Sequence, residues 1–208
     1  MRQRLSETLQ LAATDALDQR VKPVEALADD AAQVAAACHA MAIRFHRGGK
    51  LVCFGSGGPS TDAQHIAVEF VHPVIVGKRA LPAISLTGDV ATLTSIAGRE
   101  GYAEVYAHQL RHLAAPDDIA LGVSVDGDDP AVLRGLEVAA ELGLLTIALA
   151  GGDGGQTVRS RAVHHALVAR SDDPLVVKEV HVTAYDIVWE LVHVLFEQPG
   201  VLDPEVIR

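Results

Sequence analysis

The chain has 208 residues, 49% hydrophobic and 21% charged, which is enough apolar material for one substantial core and excludes a disordered polymer. A formal net charge of −10 argues against nucleic acid or an anionic membrane surface as a direct partner, since either needs clustered Lys and Arg. No apolar run reaches the roughly 18 residues of a membrane span, and the polar start Met1-Arg2-Gln3-Arg4 leads into no signal-type apolar block, so a cytoplasmic location is expected.

Aromatic residues make up only 4% of the chain, so the core must be built from Ala, Val, Leu and Ile, a composition suited to buried parallel strands. The only two cysteines, Cys38 and Cys53, fall inside apolar runs and are expected as buried thiols rather than a disulfide.

Residues 3–20 read as a helix, and 24–47 as a longer one. In the second, Leu27, Ala31, Val34, Ala35, Cys38, Met41, Ala42 and Phe45 recur at three-and-four spacing, and Gly48-Gly49 stops it. A pair of helices ahead of any strand must bury an apolar stripe, either on a second subunit or on this chain's own sheet. Residues 1–48 are therefore set apart as a helical extension with oligomerisation as its expected role, residues 49–198 as the main domain and 199–208 as a tail.

From residue 50 the pattern alternates. Strand-like runs cover 50–54, 82–86, 119–125, 144–150 and 163–169, each short, apolar and bounded by Gly, Pro or Asp. Helix-like segments lie between them at 60–71, 89–97 with 102–113, 130–142 and 156–161, and a last helix spans 174–197. Continuous apolar strands separated by helices predict an α/β fold: a five-stranded parallel sheet covered on both faces.

The chain is organised around Leu51 to Phe70, a buried strand, the glycine turn Gly55-Ser56-Gly57-Gly58, and a helix carrying His65 and Glu69 one turn apart. In a doubly wound sheet, ligands sit where the winding reverses, beyond the ends of the first and third strands. Those ends are Gly55 to Ser60 and Ser124 to Pro130. In the second loop Asp129 reads as the cap of the next helix and Pro130 as its first residue. His65 and Glu69 share a helix face, and can be a metal-ligand pair, an acid or base with its partner, or a surface contact.

Together, Gly55-Ser56-Gly57-Gly58, Asp62-Ala63-Gln64-His65 with Glu69, Ser85-Leu86-Thr87-Gly88-Asp89, Leu121-Gly122-Val123-Ser124 and Ala150-Gly151-Gly152-Asp153-Gly154-Gly155 resemble the sugar isomerase (SIS) domain of phosphoheptose isomerases. That family includes a relative that associates with the bacterial replication initiator. The resemblance implies a flavodoxin-like sheet, a homotetramer and a small polar ligand such as a sugar phosphate. It further implies isomerisation of sedoheptulose 7-phosphate by a glutamate and a histidine, with a zinc ion in many members. Carried over by position, His65 and Glu69 match the metal-ligand histidine and the ligand or catalytic glutamate. Asp89 matches the acidic residue of the middle turn.

The departures from the family pattern matter as much. Of the serines that hold phosphate in the family, Ser124 remains, while Pro59, Asp126 and Asp129 stand where others are expected. Ser56 replaces an asparagine, Pro73 an arginine, Leu175 an aspartate, and Lys178 and Asp186 a glutamine and a histidine. Each carboxylate set near a phosphate adds repulsion of order 1 to 4 kcal/mol. Three readings follow. The first is a divergent member that binds a sugar derivative or another small polar ligand at Ser56, Gly57, Gly58, Asp89, Ser124, Asp126 and Asp129, with the usual isomerase activity altered or lost. The second is an active isomerase using Glu69 with Lys178 or Asp186, assisted by zinc or another divalent ion on His65, Glu69 and Asp186. The third is a protein-binding scaffold like the initiator-associating relative.

Overall fold

The computed structural model describes residues 2–198 and 200–202. Five strands, β1 (Leu51–Gly55), β2 (Ala83–Ser85), β3 (Ile119–Val123), β4 (Leu145–Gly151) and β5 (His165–Ala169), form one parallel sheet in the order β2-β1-β3-β4-β5. The winding reverses between β1 and β3, which pair in register from Leu51 with Ile119 to Gly55 with Val123. This is the predicted doubly wound arrangement, and it leaves the β1 and β3 loops side by side.

Side chains alternate across the sheet with the period of two that a strand imposes. Leu51, Cys53, Ile119, Leu121, Leu145, Ile147 and Leu149 face a core shared with α1 (Arg2–Asp29), α2 (Ala31–His46), α3 (Pro59–Val71) and α8 (Pro174–Glu197). Val52, Phe54, Ala120 and Ala148 face a second core with α4 (Val90–Glu100), α5 (Val105–Leu113) and α6 (Pro130–Glu141). A short α7 (Gly155–Arg159) follows β4. Cys38 and Cys53 are buried free thiols, and burial pushes the Cys38 thiol up to about 12.

Glycine decides two close approaches. The Phe54 ring stacks on Tyr106 at 5.2 Å and lies over Gly122 of β3 and Gly135 of α6, where any Cβ would press into it. Tyr106 in turn donates its hydroxyl proton to the Gly55 carbonyl at 2.6 Å, which pins the end of β1 where the site begins.

One boundary differs from expectation. The leading helices do not part at residues 21–23: α1 runs through Pro23 and the break falls at Asp30. A proline inside a helix removes the bond to the carbonyl four residues earlier. Here that residue, Gln19, is exposed, so its carbonyl can turn to water, while Pro23 itself is buried on the same face as Leu27. The chain breaks at Asp30 because Arg170, next after β5, donates to the Ala26 carbonyl at 3.0 Å and pairs with the Asp30 carboxylate at 2.7 Å. The predicted tail falls largely on residues 199 and 203–208, outside the described residues, and 200–202 form a turn.

A Cβ on Gly151, at the end of β4, would overlap the backbone carbonyl oxygen of Val125 and press on Val177. Neither can move without shifting the β3 loop or α8, so Gly151→Ala is expected to destabilise the fold by about 2–3 kcal/mol, read as a lowered urea midpoint at unchanged slope.

Candidate functional site

The β1 loop turns sharply because Gly57 takes a left-handed φ of +66°. Pro59 then opens α3, where its missing N–H costs nothing. Opposite it, Asp129 caps α6. Between the two loops lies a cleft of about 310 Å³ lined, among the expected residues, by Ser56, Ser124, Asp126 and Asp129 but not by Gly57, Gly58 or Asp89, and also by Asp128.

The hydrogen bonds of this cradle are already committed. Asp129 Oδ1 accepts the Ala131 and Val132 N–H groups at 2.8 and 3.0 Å, the donors a phosphate would use at that helix end. Asp126 Oδ1 accepts the Asp128 N–H and the Ser124 hydroxyl, and Ser124 Oγ accepts the Gly127 N–H. Asp128 reaches across to accept the Gln156 N–H at 2.8 Å. Ser56 Oγ lies buried near the Tyr106 hydroxyl without a well-aligned hydrogen bond, because that hydroxyl is directed at Gly55. Asp89 stands apart from this cleft: it caps α4, accepting from Thr92 N and Thr92 Oγ1, and those bonds lower its pKa.

A neighbouring cleft of about 320 Å³ is walled by Gly58, Pro59, Asp62, Lys178 and His181. Lys178 Nζ bonds Asp62 Oδ1 at 2.5 Å and Thr61 Oγ1 at 3.1 Å; the Asp62 side chain is 5% exposed, that of Lys178 45%. His181 beside them is buried, its Nε2 has no hydrogen-bond partner among the described residues, and desolvation lowers its pKa.

His65 and Glu69 line a third cleft, of about 430 Å³, together with Asp186, Glu190, Lys78 and Trp189. His65 Nε2 lies 3.2 Å from Glu69 Oε1, while His65 Nδ1 lies 2.7 Å from the hydroxyl of the buried Tyr185. Trp189 Nε1 donates to the Glu69 carbonyl at 3.0 Å and fixes that turn of α3. Desolvation raises the Asp186 pKa, with the Glu69 charge adding to it and His65 opposing.

The predicted constellation therefore divides. His65, Glu69 and Asp186 share one cleft; Lys178 is committed to Asp62 in another, two helical turns away from Asp186 along α8. As metal donors, His65 and Glu69 approach each other, but both ring nitrogens of His65 are engaged. Among the described residues no three His, Cys, Asp or Glu side chains cluster closely enough to hold an ion. The donor set as it stands does not fit a divalent cation.

Asp62, His181 and Tyr185 were not among the predicted site residues. His181 sits three residues after Lys178 and Tyr185 next to Asp186, so both fall on a helix whose polar residues read as a solvated face. Asp62 gives no signal of its own, because its burial depends on Lys178, 116 residues later.

A doubly wound sheet with a polar cleft at its reversal point is the arrangement in which open α/β sheets bind ligands. The family model of the SIS domain matches residues 16–151, and the chain belongs to that family. A phosphoheptose isomerase of Solidesulfovibrio magneticus is 39% identical over 177 residues, covering 85% of each chain. Among solved structures, a phosphoheptose isomerase from Francisella tularensis superposes with a TM-score of 0.78 at 28% identity, covering 90% of this chain and 97% of that one. Another from Neisseria gonorrhoeae gives a TM-score of 0.80 at 24% identity over 88% and 98%. Among the described residues no helix is long and apolar enough to cross a membrane.

The Lys178–Asp62 pair predicts its own test. Removing the ammonium leaves a buried carboxylate unpaired, which typically costs about 3–5 kcal/mol; the exposure of Lys178 lowers the expectation for Lys178→Ala to about 2 kcal/mol. Adding Asp62→Asn should restore most of that loss in chemical denaturation. A lysine held only for chemistry would leave the midpoint unchanged.

Proposed function

We propose that the chain is a divergent phosphoheptose-isomerase-like SIS protein that binds a sugar derivative, phosphorylated or not, or another small polar ligand, with the usual isomerase activity altered or lost. The observation that supports this most directly is the Asp129 carboxylate on the first amides of α6. It occupies the donors a phosphate would take, and its charge opposes a second anion there. Sedoheptulose 7-phosphate tests the reading: turnover comparable to that of the similar enzymes would remove it, and turnover at least about a hundred-fold lower is expected, since each lost factor of ten needs only about 1.4 kcal/mol.

A second reading, an active isomerase with a rebuilt site, is favoured by the shared cleft of Glu69 and Asp186. An isomerisation needs one group to take a proton from carbon and another to deliver one to oxygen. Glu69, aligned by His65, suits the first role. Asp186, with its raised pKa, suits the second, since two carboxyl groups in one cleft whose environments differ can divide acid and base work. On this reading Asp186→Asn abolishes turnover, whereas Lys178→Ala lowers it only as far as it loosens the fold. The expected zinc or other divalent ion on His65, Glu69 and Asp186 enters no step of it, and elemental analysis of the purified protein decides whether one is carried.

The proposal includes a cytoplasmic homotetramer. Leu17, Val21 and Val24 of α1, at four-and-three spacing on one face, are each at least 42% exposed, an apolar stripe that a partner subunit would cover. Light scattering on the full chain should give four times the monomer mass. A monomer at micromolar concentration would overturn this part.

A further inference from the structure

We propose that Tyr185 is a positioning residue that fixes the tautomer of His65, making its Nε2–H a permanent donor to Glu69 rather than leaving a nitrogen lone pair free for a metal.

The argument is one of donors and acceptors. The Tyr185 hydroxyl is buried, and its sole hydrogen-bond partner among the described residues is His65 Nδ1 at 2.7 Å. A phenol has one proton to give, and a buried one left undirected is unfavourable. Glu69, when ionised, can only accept, and the ring nitrogen facing its Oε1 at 3.2 Å is Nε2. With a neutral ring, a single arrangement satisfies all three groups: Tyr185 O–H donates to Nδ1, and Nε2–H donates to Glu69. The opposite tautomer would place a lone pair against the carboxylate and leave the phenol proton with no acceptor.

The geometry holds the ring in that pose. His65 and Tyr185 meet edge to face, with centroids 5.4 Å apart and planes at 88°, so the ring cannot flip without breaking both contacts. Tyr185 projects from α8, whose packing on α3 is fixed nearby by Trp189 Nε1 on the Glu69 carbonyl. The consequence reaches the chemistry: one oxygen of Glu69 is engaged by His65 in the wall of their shared cleft. With the proton on Nε2 and a phenol on Nδ1, neither ring nitrogen of His65 offers a free lone pair to a metal.

The inference deepens the reading of Glu69 as a base, but its test reads the ring and not turnover, so the two can fail separately. Full-length protein labelled with ¹⁵N-histidine is examined by long-range proton–nitrogen correlation at about pH 8, above the ordinary histidine range. The chain has ten histidines, so the His65 signals are assigned by their loss in His65→Gln. The expected result is a pyrrole-type Nε2 and a pyridine-type Nδ1 carrying the shift of an accepted hydrogen bond. Tyr185→Phe should abolish that shift at Nδ1. One equivalent of Zn²⁺ added to the unmodified protein should leave both nitrogens of His65 where they were. A pyrrole-type Nδ1 in the unmodified protein, an Nδ1 shift that survives Tyr185→Phe, or an Nε2 that moves to a metal-bound position with zinc would each overturn the proposal. Beyond the assignment, the first and last readings need no change at Tyr185 and hold even if Tyr185→Phe fails to fold.

Discussion

The register of α3 against α8 is the constraint on which the rest of the site depends. Three polar links set it: Lys178 on Asp62, Tyr185 on His65, and Trp189 on the Glu69 carbonyl. The partners ascend together along both helices, as expected of two helices that follow strands of the same sense and cover one face of a parallel sheet. Between the links, Ala63, Ile66 and Phe70 of α3 belong to the same core as Val177, Val180, Ala184 and Val188 of α8. Apolar burial brings the helices together, but it is tolerant of small slides. The directional bonds choose one register, and in doing so place Glu69 and Asp186 on the same cleft and Lys178 on another.

At the other end of α3 a backbone suited to an anion is lined by carboxylates. A glycine turn, a helix start at Pro59 and a second helix start at Pro130 are what an anion site requires. The donors at the α6 terminus are nonetheless bonded to Asp129, and a hydrogen bond to a charged group is worth roughly 1.5–3 kcal/mol, which an incoming phosphate would have to replace while meeting three carboxylates. Relatives about 40% identical over most of their length carry the name of an enzyme that handles a phosphorylated sugar. Common descent accounts for the backbone; the side chains lining the cleft decide what it accepts.

The sheet was legible because its central strands β1, β3 and β4 are buried on both faces, the edge strands β2 and β5 partly so, and each lies within or beside a short apolar run between turn residues. The observed strands fall within those runs or one residue beyond them. The Asp129 cap was legible too, since capping is local and Asp-Pro announces it. What sequence reading placed wrongly was the break between α1 and α2, where Pro23 draws attention and Arg170, 140 residues later, makes the difference. The same holds within the site. Lys178 and Asp186 stand on one helix and both replace expected residues, so nothing local separates a structural lysine from an acid that shares a cleft with Glu69. Asp62 and Tyr185 become meaningful only when α3 and α8 lie together.

That some positions are fixed and others free to vary has a physical origin. Gly122, Gly135 and Gly151 are held by direct backbone or ring contact, and any side chain there must displace its neighbours. Asp89, Asp126, Lys178 and Asp186 are solvent-exposed, where a substitution usually changes stability by about half a kcal/mol or less. Such positions can change sign with little effect on folding. Lys178 is the exception among them: a cation there is matched by the buried Asp62, so the lysine cannot change alone without leaving the Asp62 charge unpaired in the core. That coupling marks the lysine as part of how this chain folds as well as of what its cleft presents. Glu69 and Asp186 line one cleft without any such bond to each other, so either can change without leaving the other's charge buried and unpaired.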